Sequence, residues 1–317
     1  MRRAPLAAIV VAIVGVSFAS VFIRWSMALG AAALVIALYR MGFATLLLAP
    51  FLATAKGAQL RRLTARDFAL LAVIGLALAA HFATWILSLA LVDVATSVVL
   101  VTSHPLLVAA VSHVVFRERV TRGVAVGIAL GFGGVVLIAF AQGGQGTSTL
   151  VGSALAFLGA IFAGIYLLAG RRLRQRMDLA PYAVNVYGFA TLFLVIFAVA
   201  TTTPLVVTSD FWREMALFLL LAVVSQIGGH TLYNYALKHV SATVVSTSLL
   251  GEPVGASVLA FLLLGEVPGC AGGSCPSPAT FLILFGSALA LAGIYLTARA
   301  SLRAPRESGG LGPQDIV

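Results

Sequence analysis

The 317 residues could form two soluble domains, but the composition excludes a soluble protein. Hydrophobic residues make up 61% of the chain and charged residues only 9%, whereas soluble domains carry about 25% charged residues. The formal net charge of +10 is the one feature that would fit a nucleic-acid-binding protein.

Ten long apolar stretches, separated by charged or Gly/Pro-rich connections, follow one another along the chain. A membrane-spanning helix needs about 20 apolar residues, so the chain has room for about ten such helices and little else. The predicted segments 1 to 10 lie approximately at residues 5–23, 30–53, 67–91, 94–116, 123–141, 149–170, 181–203, 213–237, 240–264 and 278–299. The predicted fold class is therefore an all-α integral membrane protein with ten transmembrane helices in a lipid bilayer.

The basic residues are distributed unevenly between the two sides of this arrangement. Only Arg24 and Arg213 fall in connections on one side, and Arg40 falls within segment 2, whereas all other Lys and Arg residues fall on the side of the termini. By the positive-inside rule, both termini are predicted to be cytoplasmic in a multi-pass protein of the plasma (inner) membrane. The bias accounts for the net charge, so we expect no nucleic-acid partner. A cleaved signal peptide at segment 1 would leave nine helices and contradict this bias.

An internal repeat organises the chain. The sequence Gly-Phe-Ala-Thr-Leu at residues 42–46 in segment 2 recurs at residues 188–192 in segment 7, and Pro105 and Glu118 correspond to Pro253 and Glu266. Each repeat holds five segments, and an odd number forces the two copies to face opposite ways across the bilayer. Two inverted five-helix repeats are thus predicted, at residues 1–141 and 149–299, followed by a disordered cytoplasmic tail at 300–317. Inverted repeats are typical of secondary transporters with a site near the midplane.

Segments 4 and 9 share a proline-to-glutamate pattern. It runs from His104-Pro105 to Phe-Arg-Glu-Arg at 116–119, and from Glu252-Pro253 to Leu-Gly-Glu at 264–266. Together with the duplicated five-helix organisation, this pattern resembles the EamA-like branch of the drug/metabolite transporter (DMT) superfamily. The resemblance implies a transporter that exports amino acids, other metabolites, nucleotide sugars or drugs. Its departures are Arg117, where glycine is usual, and His104, where a small or acidic residue is common.

Two ionisable residues occupy equivalent positions within segments 9 and 4. Glu252 precedes Pro253, whose missing N–H frees a backbone carbonyl one turn earlier, and a buried carboxylate there could bind a proton, an amine or a cation. His104 could titrate near neutral pH or donate to a substrate oxygen. Alternatively, Glu252 hydrogen-bonds to neighbouring hydroxyls and shapes a kink, and His104 is a satisfied interior histidine.

Arg40 lies too deep in segment 2 for its side chain to reach the membrane surface easily. Its equivalent in the second repeat is the apolar Val186, and this asymmetry suits recognition of a substrate carboxylate or phosphate through two parallel hydrogen bonds. The alternative is an arginine that binds exposed carbonyls of a neighbouring broken helix.

Two polar stripes lie on segments 3 and 8, which are equivalent in the two repeats. The stripes must face protein or water rather than lipid, so a shared substrate cavity is predicted; hydrogen bonding between helices is the alternative. Tyr233 and Trp85 could stack on a cargo molecule or could only pack. The stripes comprise His81, Thr84, Trp85 and Ser88 on segment 3, and Gln226, His230, Asn234 and Lys238 on segment 8.

The ends of segments 4 and 9 are assigned a gating or structural role. This assignment covers Glu118, Glu266, Pro105 and Pro253. Arg117 and Arg119 offer Glu118 partners for a structural or gating salt bridge. The connection after segment 9 holds both cysteines, Cys270 and Cys275, as a small disulfide or as free thiols. No metal site is expected, because that loop has no histidine or further cysteine.

The function predicted from these features is secondary transport of small metabolites, such as amino acids, by alternating access. No P-loop occurs, so no ATP and no cofactor are expected. Proton coupling through Glu252 or a histidine is a hypothesis, and facilitated exchange is its alternative. An embedded enzyme is disfavoured because the polar groups spread over five segments without H-E-x-x-H or G-x-S-x-G motifs. A channel or scaffold is a further alternative, and either a monomer or a homodimer fits.

Overall fold

A computed structural model describes residues 3–53, 63–106, 121–143, 147–205, 210–236, 238–239, 248–249, 251–268 and 278–303. The predictions for Glu118, for Cys270 and Cys275, and for the tail from residue 304 onward lie outside these described residues.

The described part of the chain is built from helices. The first half contains α1 (Arg3–Ser17), α2 (Ala19–Ala28), α3 (Ala33–Leu48), a short 3₁₀ helix (Ala49–Ala53), α4 (Ala65–Ser88), α5 (Val94–Val101) and α6 (Arg122–Gly143). The second half contains α7 (Thr147–Arg176), α8 (Leu179–Ala200), α9 (Phe211–Leu220), a π-helix (Leu221–Thr231), α10 (Leu232–Ala236), α11 (Gly251–Leu264) and α12 (Pro278–Arg303).

Seven helical stretches among the described residues are long and apolar enough to cross a membrane. They are 7–28, 33–52, 65–88, 149–170, 179–200, 211–236 and 278–297, and three shorter apolar helices lie at 94–106, 122–138 and 251–264. The predicted all-α membrane architecture is confirmed, and most helix ends lie within a few residues of the predicted ones. The count of ten spans and the inverted repeat stay predictions.

Side-chain caps mark several helix starts. Thr64 and Asp67 form a reciprocal capping box at the start of α4. The Asp93 carboxylate accepts a hydrogen bond from the Thr96 backbone N–H at 2.8 Å and so begins α5 directly after the turn that ends α4. These caps fix where the chain reverses between neighbouring helices.

The repeated Gly-Phe-Ala-Thr-Leu sequences meet where α3 packs on α8. A Cβ atom built on Gly42 would lie 3.7 Å from the Thr191 methyl carbon, and a Cβ built on Gly188 would lie 3.7 Å from the Thr45 methyl carbon. Each threonine hydroxyl donates to the carbonyl oxygen four residues earlier at 2.8 Å. The two copies of the sequence therefore make the same contact in both directions.

Helices α6 and α12 approach each other closely because glycines line their contact. A Cβ built on Gly286 would lie 2.9 Å from the carbonyl oxygen of Gly134, and a Cβ built on Gly127 would lie 2.6 Å from the backbone nitrogen of Thr297. Larger side chains at these positions would force the two helices apart.

The segment between α9 and α10 departs from the α-helix that its sequence predicts. Residues Leu221–Thr231 form a π-helix, whose i→i+5 hydrogen bonds widen the turn, and the Thr231 hydroxyl donates to the Gln226 carbonyl oxygen five residues earlier at 3.0 Å. The Gln226 side chain in this segment binds Arg40 of α3.

Candidate functional site

A small cavity of about 60 Å³ lies among the helices of the bundle. Its walls come from both halves of the chain and combine aromatic and aliphatic side chains with a few polar ones. The lining residues are Leu78, His81, Trp85, Val101, Thr102, His104, Ala163, Tyr166, Leu167, His230, Tyr233, Asn234, Leu249 and Glu252.

Most of the residues predicted to line a substrate cavity come together here. The structure places His81 and Trp85 of α4, His104 after α5, His230 of the π-helix, Tyr233 and Asn234 of α10, and Glu252 of α11 around the one cavity. Segments far apart in the sequence thus contribute to one site. No described His, Cys, Asp or Glu residues gather in a group of three or more that could hold a metal ion.

Ser88 and Arg40 do not line the cavity, in contrast to the prediction. The Ser88 hydroxyl donates to the Trp85 carbonyl oxygen at 2.6 Å and lies 2.7 Å from the Ser97 hydroxyl, so it links α4 to α5 instead. Arg40 is fully buried behind the cavity wall, with its guanidinium carbon 4.2 Å from the centre of the Phe82 ring and 5.9 Å from that of the Trp85 ring. Arg40 therefore lies behind the residues that line the cavity, and Ser88 contributes to the packing of α4 against α5.

His81 and His104 both use Nδ1 to bind a backbone carbonyl oxygen. Nδ1 of His81 lies 2.9 Å from the Gly159 carbonyl oxygen, and Nδ1 of His104 lies 3.2 Å from the Val101 carbonyl oxygen. Since a carbonyl oxygen can only accept, Nδ1 carries the proton in both rings and Nε2 of a neutral imidazole is left as an acceptor. Nε2 of His104 is buried without a hydrogen-bond partner.

Glu252 brings a carboxylate to the same cavity from the first turn of α11. The residue is 8% exposed, and the described part of the chain provides its carboxylate with neither a salt bridge nor a hydrogen-bond donor. The nearby Tyr233 hydroxyl is also buried without a partner. A buried polar group without a partner is costly, so these groups are suited to a polar ligand or to water.

Among the described residues, the Arg40 guanidinium forms a hydrogen bond through Nε alone. Its Nε donates to Oε1 of Gln226 at 3.0 Å, whereas Nη1 and Nη2 are buried and have no hydrogen-bond partner among the described residues. No described carboxylate lies within salt-bridge distance of it, although Arg40 and Glu252 interact electrostatically over a longer distance. The alternative role predicted for Arg40, binding backbone carbonyls of a broken helix, finds no such contact among the described residues.

Tyr166 and Gln226 belong to the site but are absent from the set of site residues predicted from the sequence. The Tyr166 hydroxyl accepts a hydrogen bond from Nδ2 of Asn234 at 2.8 Å and lines the cavity. A tyrosine within an apolar segment is the only sequence signal for it. Gln226 was recognised as part of a polar stripe, but its partner Arg40 could not be identified without the π-helix.

A salt bridge joins the two halves at one end of the bundle. Arg24, near the end of α2, places Nη2 2.9 Å from Oε1 of Glu266, which follows α11. The other Glu266 oxygen accepts from the backbone N–H of Val94 at 3.0 Å, and Nη2 of Arg24 donates to the Val92 carbonyl oxygen at 3.0 Å. Glu266 thus forms a salt bridge with Arg24, a partner that the sequence did not indicate.

A second ion pair lies towards the opposite end of the bundle, within the second half of the chain. Nζ of Lys238 lies 2.8 Å from Oδ1 of Asp178, between the end of α10 and the start of α8. Arg174 binds the Asn234 carbonyl oxygen through Nε at 3.3 Å and through Nη2 at 3.2 Å. The polar contacts at this end therefore stabilise one half, whereas the Arg24–Glu266 pair crosses between halves.

Comparison with known proteins identifies one family over almost the whole chain. The model of the EamA-like transporter family matches residues 4–140 and 150–299. A relative from Archaeoglobus fulgidus, named an uncharacterized transporter, is 25% identical over 54% of this chain, and the match spans 56% of that protein. The chain thus spans little more than half the length of this relative.

Two further similarities concern cargo and fold. A relative from Streptantibioticus cattleyicolor, named a probable terminal-alkyne amino-acid exporter, is 28% identical over 68% of this chain and 68% of its own length. A solved crystal structure of a protein superposes with a TM-score of 0.63 and 19% identity, over 96% of this chain and 100% of that chain. At this identity the likeness shows a common fold alone.

Proposed function

Because the chain belongs to the EamA-like transporter family, as its sequence resemblance predicted, we propose that it exports amino acids or related small metabolites across the plasma membrane by alternating access. The observation that carries this proposal is the central cavity, which Glu252 and three histidines line from both halves of the chain. Intramembrane ionisable groups of this kind typically mark a transport pathway.

Amino acids are the cargo that the chemistry of the cavity suits best. Glu252 can bind an ammonium group, and the aromatic and aliphatic walls can hold an apolar side chain. The relative named an amino-acid exporter supports the same cargo class. Drugs or nucleotide sugars remain the alternatives, and efflux of either in place of amino acids would overturn the proposed cargo.

Alternating access is supported by the way the two halves pack. Helix α3 packs on α8, α5 on α11 and α6 on α12, and the contact of α4 with α7 has its counterpart in that of α1 with the π-helix. These are the pairings expected from a two-fold axis in the membrane plane, with inverted repeats at 1–141 and 149–299. The two ranges of the family match coincide with these halves. The Arg24–Glu266 pair then acts as a latch that closes one end of the cavity.

The distribution of basic residues supports cytoplasmic termini, and with that orientation the Arg24 end of the bundle faces outward. Glu252 is the candidate carrier if transport is coupled to protons. Under that hypothesis, a pH gradient accelerates efflux by the wild type and has no effect on Glu252→Gln. If the efflux rate of the wild type does not depend on the pH gradient, facilitated exchange is the mechanism instead.

Reconstitution tests the function directly. Liposomes with the purified protein are loaded with a mixed pool of amino acids, nucleotide sugars and other small metabolites, and mass spectrometry identifies what leaves faster than from protein-free liposomes. The proposal expects selective loss of amino acids. Retention of the whole pool, with or without a pH gradient, would contradict a transport function for these solutes.

A further inference from the structure

We propose that the site is divided into two poles that together recognise a zwitterion: a donor pole at Arg40 that binds the α-carboxylate, and an acceptor pole at Glu252 that binds the α-ammonium. This inference rests on the proposed function and deepens it, because it requires both charges on one cargo molecule. It also assigns Gln226 as the residue that positions Arg40.

The donor pole consists of buried N–H groups that have no partner. Nη1 and Nη2 of Arg40 and Nε1 of Trp85 are all buried without hydrogen-bond partners in the part of the chain that is described. Trp85 lines the cavity, and the Arg40 guanidinium lies 5.9 Å from its ring. A guanidinium inside the bilayer without a counter-ion is costly. Because Arg40 lies behind the cavity wall, a cargo carboxylate reaches it once the Trp85 side chain moves aside, and it then supplies that counter-ion through two parallel hydrogen bonds.

The acceptor pole consists of groups that can accept from an ammonium. Glu252 contributes a carboxylate without a salt bridge, and His81 and His104 contribute Nε2 atoms, since their Nδ1 atoms donate to backbone carbonyls. An ammonium has three N–H donors and no acceptor, so it matches these groups and is repelled by Arg40. The arrangement therefore favours one orientation of a zwitterion in the cavity.

Gln226 determines how the Arg40 guanidinium is presented. Its Oε1 accepts from Nε, so the fork formed by Nη1 and Nη2 is left free, while the Phe82 ring supports the guanidinium at 4.2 Å. The side chain of Gln226 is fully buried and lies in the π-helix, the kind of irregularity that frequently occurs at functional sites. Gln226 is thus a positioning residue that acts through Arg40.

Blocked amino acids test whether both charges are needed. Liposomes containing the full-length protein are loaded with equal pools of free amino acids, their N-acetyl derivatives and their amides, and efflux is corrected for protein-free liposomes. We expect free amino acids to leave at least tenfold faster than either blocked form. If amides or N-acetyl derivatives leave as fast as the free forms, the zwitterion site is overturned while amino-acid export stands. If nothing leaves, the proposed function fails and this inference fails with it.

The variant Gln226→Glu tests whether Gln226 positions Arg40 for the cargo or only stabilises the fold. It retains an acceptor for Nε of Arg40 and supplies the guanidinium with a counter-ion from within the chain, so the attraction of Arg40 for a cargo carboxylate falls. We expect efflux of free amino acids to fall at least tenfold relative to efflux of the amides. The control Asn185→Asp makes the same change at a half-buried site on α8 outside the cavity and leaves the ratio unchanged. If Gln226→Glu lowers the efflux of free amino acids and of amides equally, or changes neither, Gln226 does not position Arg40 for the cargo.

Discussion

The Arg24 guanidinium lies 2.9 Å from the Glu266 carboxylate and thereby joins the first half of the chain to the second. Both side chains are about one-quarter exposed, and each also binds the turn before α5, through the Val92 carbonyl and the Val94 N–H. Three helix ends meet at this pair. An isolated surface ion pair contributes about 1 kcal/mol or less, so under the proposed alternating access this pair is weak enough to form and break in each cycle.

Breaking the latch should favour the conformation that is open at the Arg24 end. We expect Arg24→Gln and Glu266→Gln each to lower the KM for cargo offered from that side about fivefold, because about 1 kcal/mol shifts the population by this factor. The double variant should differ little from either single variant, since both remove the same contact. Initial rates of uptake into proteoliposomes of known orientation measure this effect.

The Lys238–Asp178 pair is the matched control, because it lies within one half and does not cross between halves. We expect Lys238→Gln to leave the KM unchanged. Additive effects of Arg24→Gln and Glu266→Gln, or an equal effect of Lys238→Gln, would show that the pair is not a latch.

The positions of the helices and most of the cavity could be predicted from the sequence. Long apolar stretches leave few alternatives to membrane helices, because every backbone polar group in lipid must be satisfied within the helix. Polar side chains inside such helices must face protein or water, which is why His81, Trp85, His230 and Glu252 were expected near one another, and the structure places them around one cavity.

The partners of these polar groups could not be predicted. Gln226 and His230 fit one stripe of four-residue spacing, but Gln226 binds Arg40, whereas His230 lines the cavity. Ser88 fits the stripe with Trp85 but pairs with Ser97 across a turn. Spacing along one helix determines which side chains share a face, whereas contacts between helices depend on packing angles that no spacing encodes.

Gly265 ends α11 and places Glu266 in the latch. Its φ is +67°, and its backbone N–H binds the Phe261 carbonyl oxygen at 3.2 Å, as in a left-handed helix cap. A Cβ at this position meets nothing within 4 Å, so Gly265→Ala introduces only backbone strain of about 1–2 kcal/mol. We expect a lower midpoint of thermal unfolding, measured by the loss of monodisperse protein after heating. Asn tolerates this conformation better, so Gly265→Asn should retain most of the stability; equal losses would contradict the role of the left-handed cap.

The contact between α6 and α12 should not tolerate added volume. A Cβ on Gly134 would collide with the backbone of Gly286 and Ala290, whereas a Cβ on the adjacent Gly133 meets nothing within 4 Å. We expect Gly134→Ala to destabilise the protein by about 1–3 kcal/mol through overpacking and Gly133→Ala to be neutral or slightly stabilising. Thermal unfolding of the two variants in the same detergent measures the difference. Equal stability would mean that the helices are not in the close contact described.

The central claim is that cargo crosses the membrane through the cavity that contains Glu252. Glu214 provides a matched control, because it is a fully buried carboxyl on α9 without a described partner and lies outside the cavity. The most direct measurement compares amino-acid exchange by wild type, Glu252→Gln and Glu214→Gln in proteoliposomes at equal pH on both sides. We expect exchange to fall at least tenfold in Glu252→Gln and to stay within twofold of wild type in Glu214→Gln. Wild-type exchange in Glu252→Gln would contradict the assignment of this cavity as the transport site.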